Sequence, residues 1–407
     1  MRHDADVRFP DRTTPPHILT LVLMSGLSAM SMTIVLPSLP QMTQDLGTRY
    51  EVMQFMVSGF LAATAVMHLV IGPISDRYGR RIVTLVGFAM FAVASVGCAL
   101  AQSVEILLAF RMLQCTAAIG MVLSRAIVRD LYAQDQAASM IGYVTMGMAL
   151  TPMIAPSIGG LLDQAFGWRS VFVFTTIASM AVLMLCLFDL GETTRDGGVS
   201  FLKQARDYPE LLSSRRFWGY AFASAFASGA FFAFLGGAPY VASTIYGLSP
   251  FWTGMCLGAP AIGYAVGNYL SGRLSVRLGV NRMIRNGAII TASGLGIAVM
   301  LTVLGLDSPY VFFGFGPLIG VGNGMVIPNG SAGMLSVRPH LAGSASGIGG
   351  AFMIGGGAAL SVFAGILIQD STSSAPLLAM MLTSVLLGIA SIQYVSWRER
   401  QLDSAGP

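Results

Sequence analysis

The stretch MQFMVSGFLAATAVMHLVIGPISDRYGRRIVTLVGFAMFAVASVGCALA, residues 53–101, decides the fold class of this chain. Two apolar runs of about 20 residues flank a short segment of glycines and charged residues. As an α-helix rising about 1.5 Å per residue, such a run covers the ~30 Å hydrocarbon layer of a membrane. The stretch therefore predicts two membrane-spanning helices joined by a tight polar turn.

The rest of the 407-residue chain repeats this pattern. Apolar residues make up 54% and charged residues 10% of it, whereas soluble globular proteins carry about 25% charged residues. This composition excludes a soluble enzyme, and the apolar content excludes a disordered chain. We predict an all-α membrane protein with spans at 18–39, 53–74, 82–101, 106–128, 140–162, 171–187, 217–241, 253–271, 283–304, 310–334, 342–368 and 375–395.

The distribution of positive charge predicts the orientation. With the N-terminus inside, all but three of the 23 Lys and Arg residues fall on the cytoplasmic side. The exceptions are Arg49 and Arg169 on the outer side and Arg111 within the fourth span. Lys and Arg concentrate in cytoplasmic loops of membrane proteins. We therefore expect a multi-pass membrane protein with both termini in the cytoplasm.

A long polar segment divides the spans into two groups of six. We predict a cytoplasmic tail at 1–17, a six-helix bundle at 18–188, a linker at 189–216, a second bundle at 217–396 and a tail at 397–407. The second span of each half ends similarly, in GPISDRYGRR (72–81) and GNYLSGRLSVRLG (267–279). Such a degenerate repeat is typical of transporters whose binding site lies between the halves.

Three motifs carry a resemblance to the major facilitator superfamily. The signature between spans 2 and 3 is matched by Gly72, Pro73, Asp76, Arg77, Gly79, Arg80 and Arg81. Arg111 and Gln114 resemble the R-x-x-Q-G signature of the fourth span, with Cys115 replacing the glycine. APSIGG (155–160) is similar to the helix 5 signature of the drug:proton antiporter branch, with Ala155 in place of its first glycine.

Further segments resemble the Bcr/CflA group of multidrug exporters: RAIVRDLY (125–132), GWRSVF (167–172) and IYGLSP (245–250). The resemblance covers nearly the whole chain and implies two pseudo-symmetric six-helix bundles around a central cavity. It implies proton-coupled export of small, largely apolar compounds by alternating access, and hence drug resistance. The expected partners are substrate, protons and lipid. We expect a monomer and no enzymatic activity, cofactor, metal or nucleic acid; no G-x-x-x-x-G-K-[ST] phosphate-binding loop occurs.

The charged segment after span 2 predicts a conformational latch. Asp76 is an acid in a strongly basic segment, and an acid is stabilised near a helix N-terminus. The resemblance implies that its partner is the start of span 11, at 342–344, and we expect Arg80 to pair with Asp130. The latch would consist of Gly72, Asp76, Arg77, Gly79, Arg80, Arg81 and Asp130. The alternative is that these charges only anchor the topology.

Proton coupling poses the sharpest question, because the group usually carries an acid in a D-x-x-x-P pattern of span 1. Here the segment is SMTIVLPSLP (31–40), with Thr33 at that position, and no Asp or Glu falls within a predicted span. The titratable candidates that remain are His68, Asp76, Asp130 and Asp163. Histidine changes charge near neutral pH, although His68 could also be a neutral, hydrogen-bonded helix residue.

Arg111 is an intramembrane ionisable residue, which is a functional hypothesis by default. The resemblance implies a role in proton coupling or as a cavity charge; alternatively, Arg111 binds backbone carbonyls and shapes the bundle. With the acid of span 1 missing, neutral or anionic substrates are more plausible than cations. In span 5 we expect Pro152, Pro156, Gly159 and Gly160 to form a seal by close helix packing, although Pro and Gly are common in spans.

The predicted substrate cavity combines aromatic, thioether and amide side chains, which adapt to varied apolar ligands. Phe222 and Phe226 share a helix face at i, i+4. The full set is Met30, Thr33, Gln114, Phe222, Phe226, Tyr240, Tyr264, Asn268 and Asn323. Packing or lipid contact is the alternative role for each. Three other functions stay open: a carrier for one metabolite, such as a sugar or amino-acid derivative, an uncoupled facilitator, and a non-transporting membrane sensor.

Overall fold

The structure is a computed structural model that describes residues 9–131, 134–193, 209–338, 342–369 and 371–404. Twelve long helices follow one another in that part of the chain. They are α1 Ile18–Asp45, α2 Tyr50–Tyr78, α3 Arg80–Leu100, α4 Val104–Leu131, α5 Gln134–Phe166, α6 Arg169–Asp189, α7 Arg215–Ile245, α8 Pro250–Leu278, α9 Val280–Val303, α10 Pro309–Val337, α11 Ala342–Ile368 and α12 Ala375–Ser404. The predicted all-α fold with twelve spans is confirmed.

Several helices extend beyond their predicted spans. Helix α2 continues to Tyr78, α5 to Phe166 and α12 to Ser404. Gly72, which the predicted span 53–74 includes, lies inside α2, and Gly79 ends the helix. Hydropathy marks only the hydrocarbon layer, whereas backbone hydrogen bonds carry a helix on into the headgroup region. Polar residues at span ends are consequently helical.

The internal repeat appears as the same turn in both halves. Gly79 has φ +94° and ends α2, and its N–H donates to the carbonyl of Ser75. Gly279 has φ +81° and ends α8, and its N–H donates to the carbonyl of Ser275. Glycine adopts positive φ without a Cβ clash. Each half therefore reverses direction at the inner end of its second helix in the same way.

Helix α1 is interrupted where the sequence contains prolines. Its first part ends at Thr33, a 3₁₀ turn covers Leu36–Ser38, and a second helical part runs Leu39–Asp45. Proline lacks the N–H that would continue the hydrogen-bond ladder. Because this part ends at Thr33, carbonyl groups of its last turn, including that of Ser31, lack regular helical partners.

An acidic side chain organises the outer end of the second half, where "outer" means the membrane side opposite the predicted cytoplasmic termini. Asp307 lies between α9 and α10 and accepts hydrogen bonds from Tyr246, from Ser373 (2.7 Å) and from Ser374 (2.7 and 3.0 Å). Burial alone would raise the pKa of its carboxyl, but these hydrogen bonds outweigh it and hold the pKa below its ordinary value. Asp307 thereby joins the segments that precede α8, α10 and α12.

Replacing Asp307 by Asn should destabilise the protein by about 1–3 kcal/mol at pH 7, because hydrogen bonds to a charged group are lost. Because the pKa of Asp307 is lower in the folded than in the unfolded protein, its carboxylate contributes its full stabilisation at pH values above the ordinary carboxyl pKa of about 4. This contribution is lost as the pH falls through the folded-state pKa. Thermal unfolding in detergent should therefore show a gap between wild type and D307N that narrows below about pH 4. The exposed Glu105 supplies the control E105Q, and equal destabilisation by both variants would contradict the prediction.

Candidate functional site

Arg111 is enclosed in the first half and only 1% exposed. Its Nε donates to the carbonyl of Met56 (2.9 Å), and one terminal nitrogen donates to the carbonyl of Ser31 (2.9 Å). The guanidinium also lies over the ring of Phe60, 3.9 Å from its centroid. The break in α1 frees the Ser31 carbonyl for this contact. Arg111 thus joins α1, α2 and α4 and does not reach a ligand cavity in this conformation.

Gln114, which we predicted to line the cavity, holds Arg111 instead. Its Oε1 accepts from Arg111 (2.8 Å), and its Nε2 donates to the hydroxyl of Ser95 (2.8 Å). Gln114 is buried, and both ends of its amide are engaged by Arg111 and Ser95. Thr33, at the position of the missing acid, is buried with a hydroxyl oxygen that lacks a hydrogen-bond partner among the described residues.

Asp163 is an acid that the predicted spans left out. Because α5 extends to Phe166, Asp163 lies within this helix and is 2% exposed. The amide of Gln41, with its nitrogen facing the carboxylate, lies 2.7 and 3.2 Å from the two oxygens. The neighbouring acid Asp45 is bound by Trp168 (2.9 Å) and Arg169 (3.6 Å). Asp163 therefore lies buried against a neutral amide, whereas Asp45 has a cation beside it.

His68 occupies the middle part of α2 and is half-buried. Its Nδ1 lies 2.9 Å from the carbonyl oxygen of Thr64. Because a carbonyl can only accept, Nδ1 carries the proton, and Nε2 is left as the proton-accepting nitrogen of the neutral ring. The geometry matches the hydrogen-bonded helix residue that we considered, with one nitrogen available for titration.

The predicted pairing of Arg80 with Asp130 is present, with Nε and Oδ2 3.0 Å apart. Arg80 also pairs with Asp76 (2.5 Å), and Glu192 accepts from the backbone N–H groups of Arg80 (2.8 Å) and Arg81 (3.3 Å). This network joins α2, α3, α4 and the segment after α6. The side chains of 342–344, the predicted partner of Asp76, lie outside the described residues.

Helices α5 and α8 meet backbone to backbone near their outer ends. A Cβ added to Gly160 would overlap the carbonyl of Pro250, and one added to Gly254 would overlap the carbonyl of Pro156. On the neighbouring face of α5, Gly159 touches the carbonyl of Ile34 in α1 in the same manner. The contact between the halves therefore requires glycine, which has no Cβ, at positions 160 and 254. The side chain of Pro152, the fourth predicted seal residue, lies outside the described residues.

A second contact between the halves lies at the same end. The hydroxyl of Tyr50 in α2 donates to the carbonyl of Gly236 (3.2 Å), and Nε2 of Gln54 donates to the carbonyl of Ser361 in α11 (3.1 Å). The ring of Tyr240 lies 5.0 Å from that of Tyr50. The structure therefore places Tyr240, a predicted cavity residue, in the outer contact between α2 and α7.

The remaining predicted cavity residues are distributed over both halves. Phe222 and Phe226 stack with centroids 5.9 Å apart, as their spacing indicated, and Phe352 of α11 lies edge-on to Phe222 at 5.1 Å. Asn323 is buried in α10. Met30, Tyr264 and Asn268 are half-buried. The Asn268 amide donates to the carbonyl of Tyr264 (2.9 Å).

Residues 21–362 match the Major Facilitator Superfamily. The chain belongs to this family. Similar proteins include an uncharacterized MFS-type transporter of Bacillus subtilis, YdgK, 30% identical over 90% of this chain and 92% of its own length. A chloramphenicol resistance protein of Pseudomonas aeruginosa is 28% identical over 92% and 91%. A bicyclomycin resistance protein homolog of Haemophilus influenzae is 27% identical over 96% and 98%.

Among solved structures, a bacterial homolog of the human lysosomal transporter Spinster has the same fold. It superposes with a TM-score of 0.71 at 18% identity, covering 94% of this chain and 96% of that one. In this Major Facilitator fold, the contacts of α5 with α8 and of α2 with α7 and α11 lie at the outer end. The chain is therefore closed on the outer side in this conformation.

Sequence reasoning missed Tyr50, Gln54, Pro250 and Gly254, the partners in the outer contacts. The repeat could have indicated Gly254, because α8 corresponds to α2 and packs against the predicted seal of α5. Gln54 carries no comparable signal, because a single amide near a span end is common. The small residues that contact the Gln54 side chain come from two distant segments of the other half.

Replacing Gly160 or Gly254 by Val should open the outer side. Overpacking costs about 1–3 kcal/mol, which shifts a two-state equilibrium about 5- to 150-fold. Spin labels can be attached at Gln44 and Thr244 in a background without native cysteines. We expect the distance between the two labels to be longer in either Val variant than in the same labelled protein with both glycines intact. The matched control is G272V, because Gly272 of α8 faces open space. The same increase in the control, or none in the other variants, would contradict the seal.

Proposed function

We propose that this chain is a proton-coupled exporter of small, largely apolar compounds that works by alternating access in the bacterial inner membrane, with both termini in the cytoplasm. The observation that carries the proposal is the arrangement of two six-helix halves that meet through close backbone contacts at one end. Relatives named for chloramphenicol and bicyclomycin resistance support export as the direction and drugs as the substrates.

Proton coupling in this chain rests on Asp163 and His68. Asp76 and Asp130 both pair with Arg80, so we assign them to the latch and not to coupling. Asp163 is buried against the amide of Gln41, so closing the outer side is easier when Asp163 is protonated. Opening that side would expose the carboxyl to water and let it exchange its proton. We assign Arg111 the task of holding α1, α2 and α4 together around these groups.

The network around Arg80 serves as the conformational latch in this proposal. Asp76 and Asp130 converge on one guanidinium, while Glu192 caps the start of α3. The arrangement keeps Asp76 at the inner end of α2, where it can meet the start of α11 when the inner side closes. Rocking of the halves would form and release that contact, with the Arg80 network as a rigid base.

Everted membrane vesicles should accumulate chloramphenicol when an inside-acidic pH gradient is imposed, because proton exit then drives uptake into the vesicle lumen. Dissipating the gradient with an ionophore should abolish accumulation. Vesicles without the protein supply the background. Uptake that only equilibrates chloramphenicol and is not driven to accumulation by the pH gradient would show an uncoupled facilitator. Activity confined to one metabolite from a panel of drugs, dyes, sugars and amino acids would instead establish a specific carrier.

Substrate-induced proton release from the purified protein should fall at least severalfold in Asp163→Asn, His68→Gln or both, because these changes remove the proposed proton carriers. The measurement uses a pH-indicator dye in weakly buffered detergent solution. Asp45→Asn is the matched control, since Asp45 is at the outer end but is bound by Trp168 and Arg169. Release that persists unchanged in the D163N/H68Q double variant would refute both assignments.

A further inference from the structure

Arg125 is a second arginine of α4, and it lies about two turns before the inner end of the helix at Leu131. Its Nε donates to the carbonyl of Met121 (3.1 Å), one turn toward the membrane centre. A terminal nitrogen contacts the sulfur of Met148 in α5 (3.9 Å). The side chain therefore points from the inner third of α4 toward the middle of the membrane.

The charge of Arg125 is not compensated by an acid in the part of the chain that the structure describes. Asp130, one turn away on the same helix, is bound to Arg80. Unlike Arg111, which is enclosed and bound by two carbonyls and Gln114, Arg125 is half-buried. A cation at such depth without a counter-charge is costly and marks a functional site.

Groups from both halves surround this guanidinium. His68 of α2 and Tyr264 of α8 interact with it electrostatically, and Met148 of α5 touches it. The imidazole of His68 donates through Nδ1 to Thr64, and the Tyr264 side chain interacts with Asn268. Arg125 thus contacts a thioether and lies near an imidazole of the first bundle and a phenol of the second, none of which is an anion at neutral pH.

We propose that Arg125 binds the negatively charged group of an amphipathic organic anion, such as an aromatic carboxylate or phenolate, in the central cavity. The proposal rests on the proposed function and adds amphipathic organic anions to its substrate class. The guanidinium forms charge-assisted hydrogen bonds with the anion, while Met148 offers a polarisable surface to its apolar body. Export of an anion is also favoured by the inside-negative membrane potential.

Binding of fluorescein, an aromatic carboxylate and phenolate, to the purified protein tests this site by fluorescence anisotropy in non-ionic detergent at pH 8. We expect saturable binding to wild type, binding weaker by about tenfold or more in R125Q, and partial retention in R125K, because a lysine keeps the charge but not the planar fork. R129Q should bind like wild type, since Arg129 is an exposed arginine of the same helix. Thermal unfolding checks that each variant is folded.

Equal binding by R125Q and wild type, an equal loss in R129Q, or no saturable binding of fluorescein to wild type would overturn the proposal. So would tighter binding of the cationic dye ethidium than of fluorescein. If R125Q does not fold, R125K decides: weakened but saturable binding of fluorescein supports the site, whereas unchanged affinity or complete loss of binding overturns it. Binding in detergent requires no proton gradient, so its failure is distinguishable from failure of chloramphenicol export.

Discussion

A hydrocarbon layer supplies neither a hydrogen-bond partner nor a hydrophobic force between helices, and both shortages shape this chain. The first is visible at Arg111, which would be prohibitively costly in lipid and is instead bound by carbonyls and an amide. The carbonyl of Ser31 is free for this purpose because prolines interrupt α1. The break in one helix and the charge on another are therefore parts of a single arrangement.

The second shortage explains the glycines at the contact between the halves. With lipid as apolar as the helices themselves, association relies on close van der Waals approach. Gly160 and Gly254 bring α5 and α8 so near that each touches a carbonyl of the other helix. Contacts of this kind are lost abruptly when helices separate. A seal built from them suits a structure that alternates between a closed and an open outer side.

Ionisable groups inside the bundle fall into two classes according to their partners. Arg111 and the Arg80 network are saturated by hydrogen bonds or opposite charges, and their role is to hold helices. Asp163, His68 and Arg125 are not paired with an opposite charge in the described chain, which makes their charge responsive to a proton or a ligand. The proposed chemistry of transport is assigned to the second class for this reason.

The amino-acid sequence determined the twelve helices, their grouping in sixes and the repeat, because long apolar runs without alternation cross lipid as helices and not as barrel strands. It also indicated the pairing of Arg80 with Asp130 and the shared face of Phe222 and Phe226. Only the tertiary structure decided that Gln114 serves Arg111, that Tyr240 joins the outer contact and that Asp163 is buried within a helix. These outcomes depend on tertiary contacts between residues that are far apart in the sequence. Hydropathy and motif spacing carry no information about such contacts.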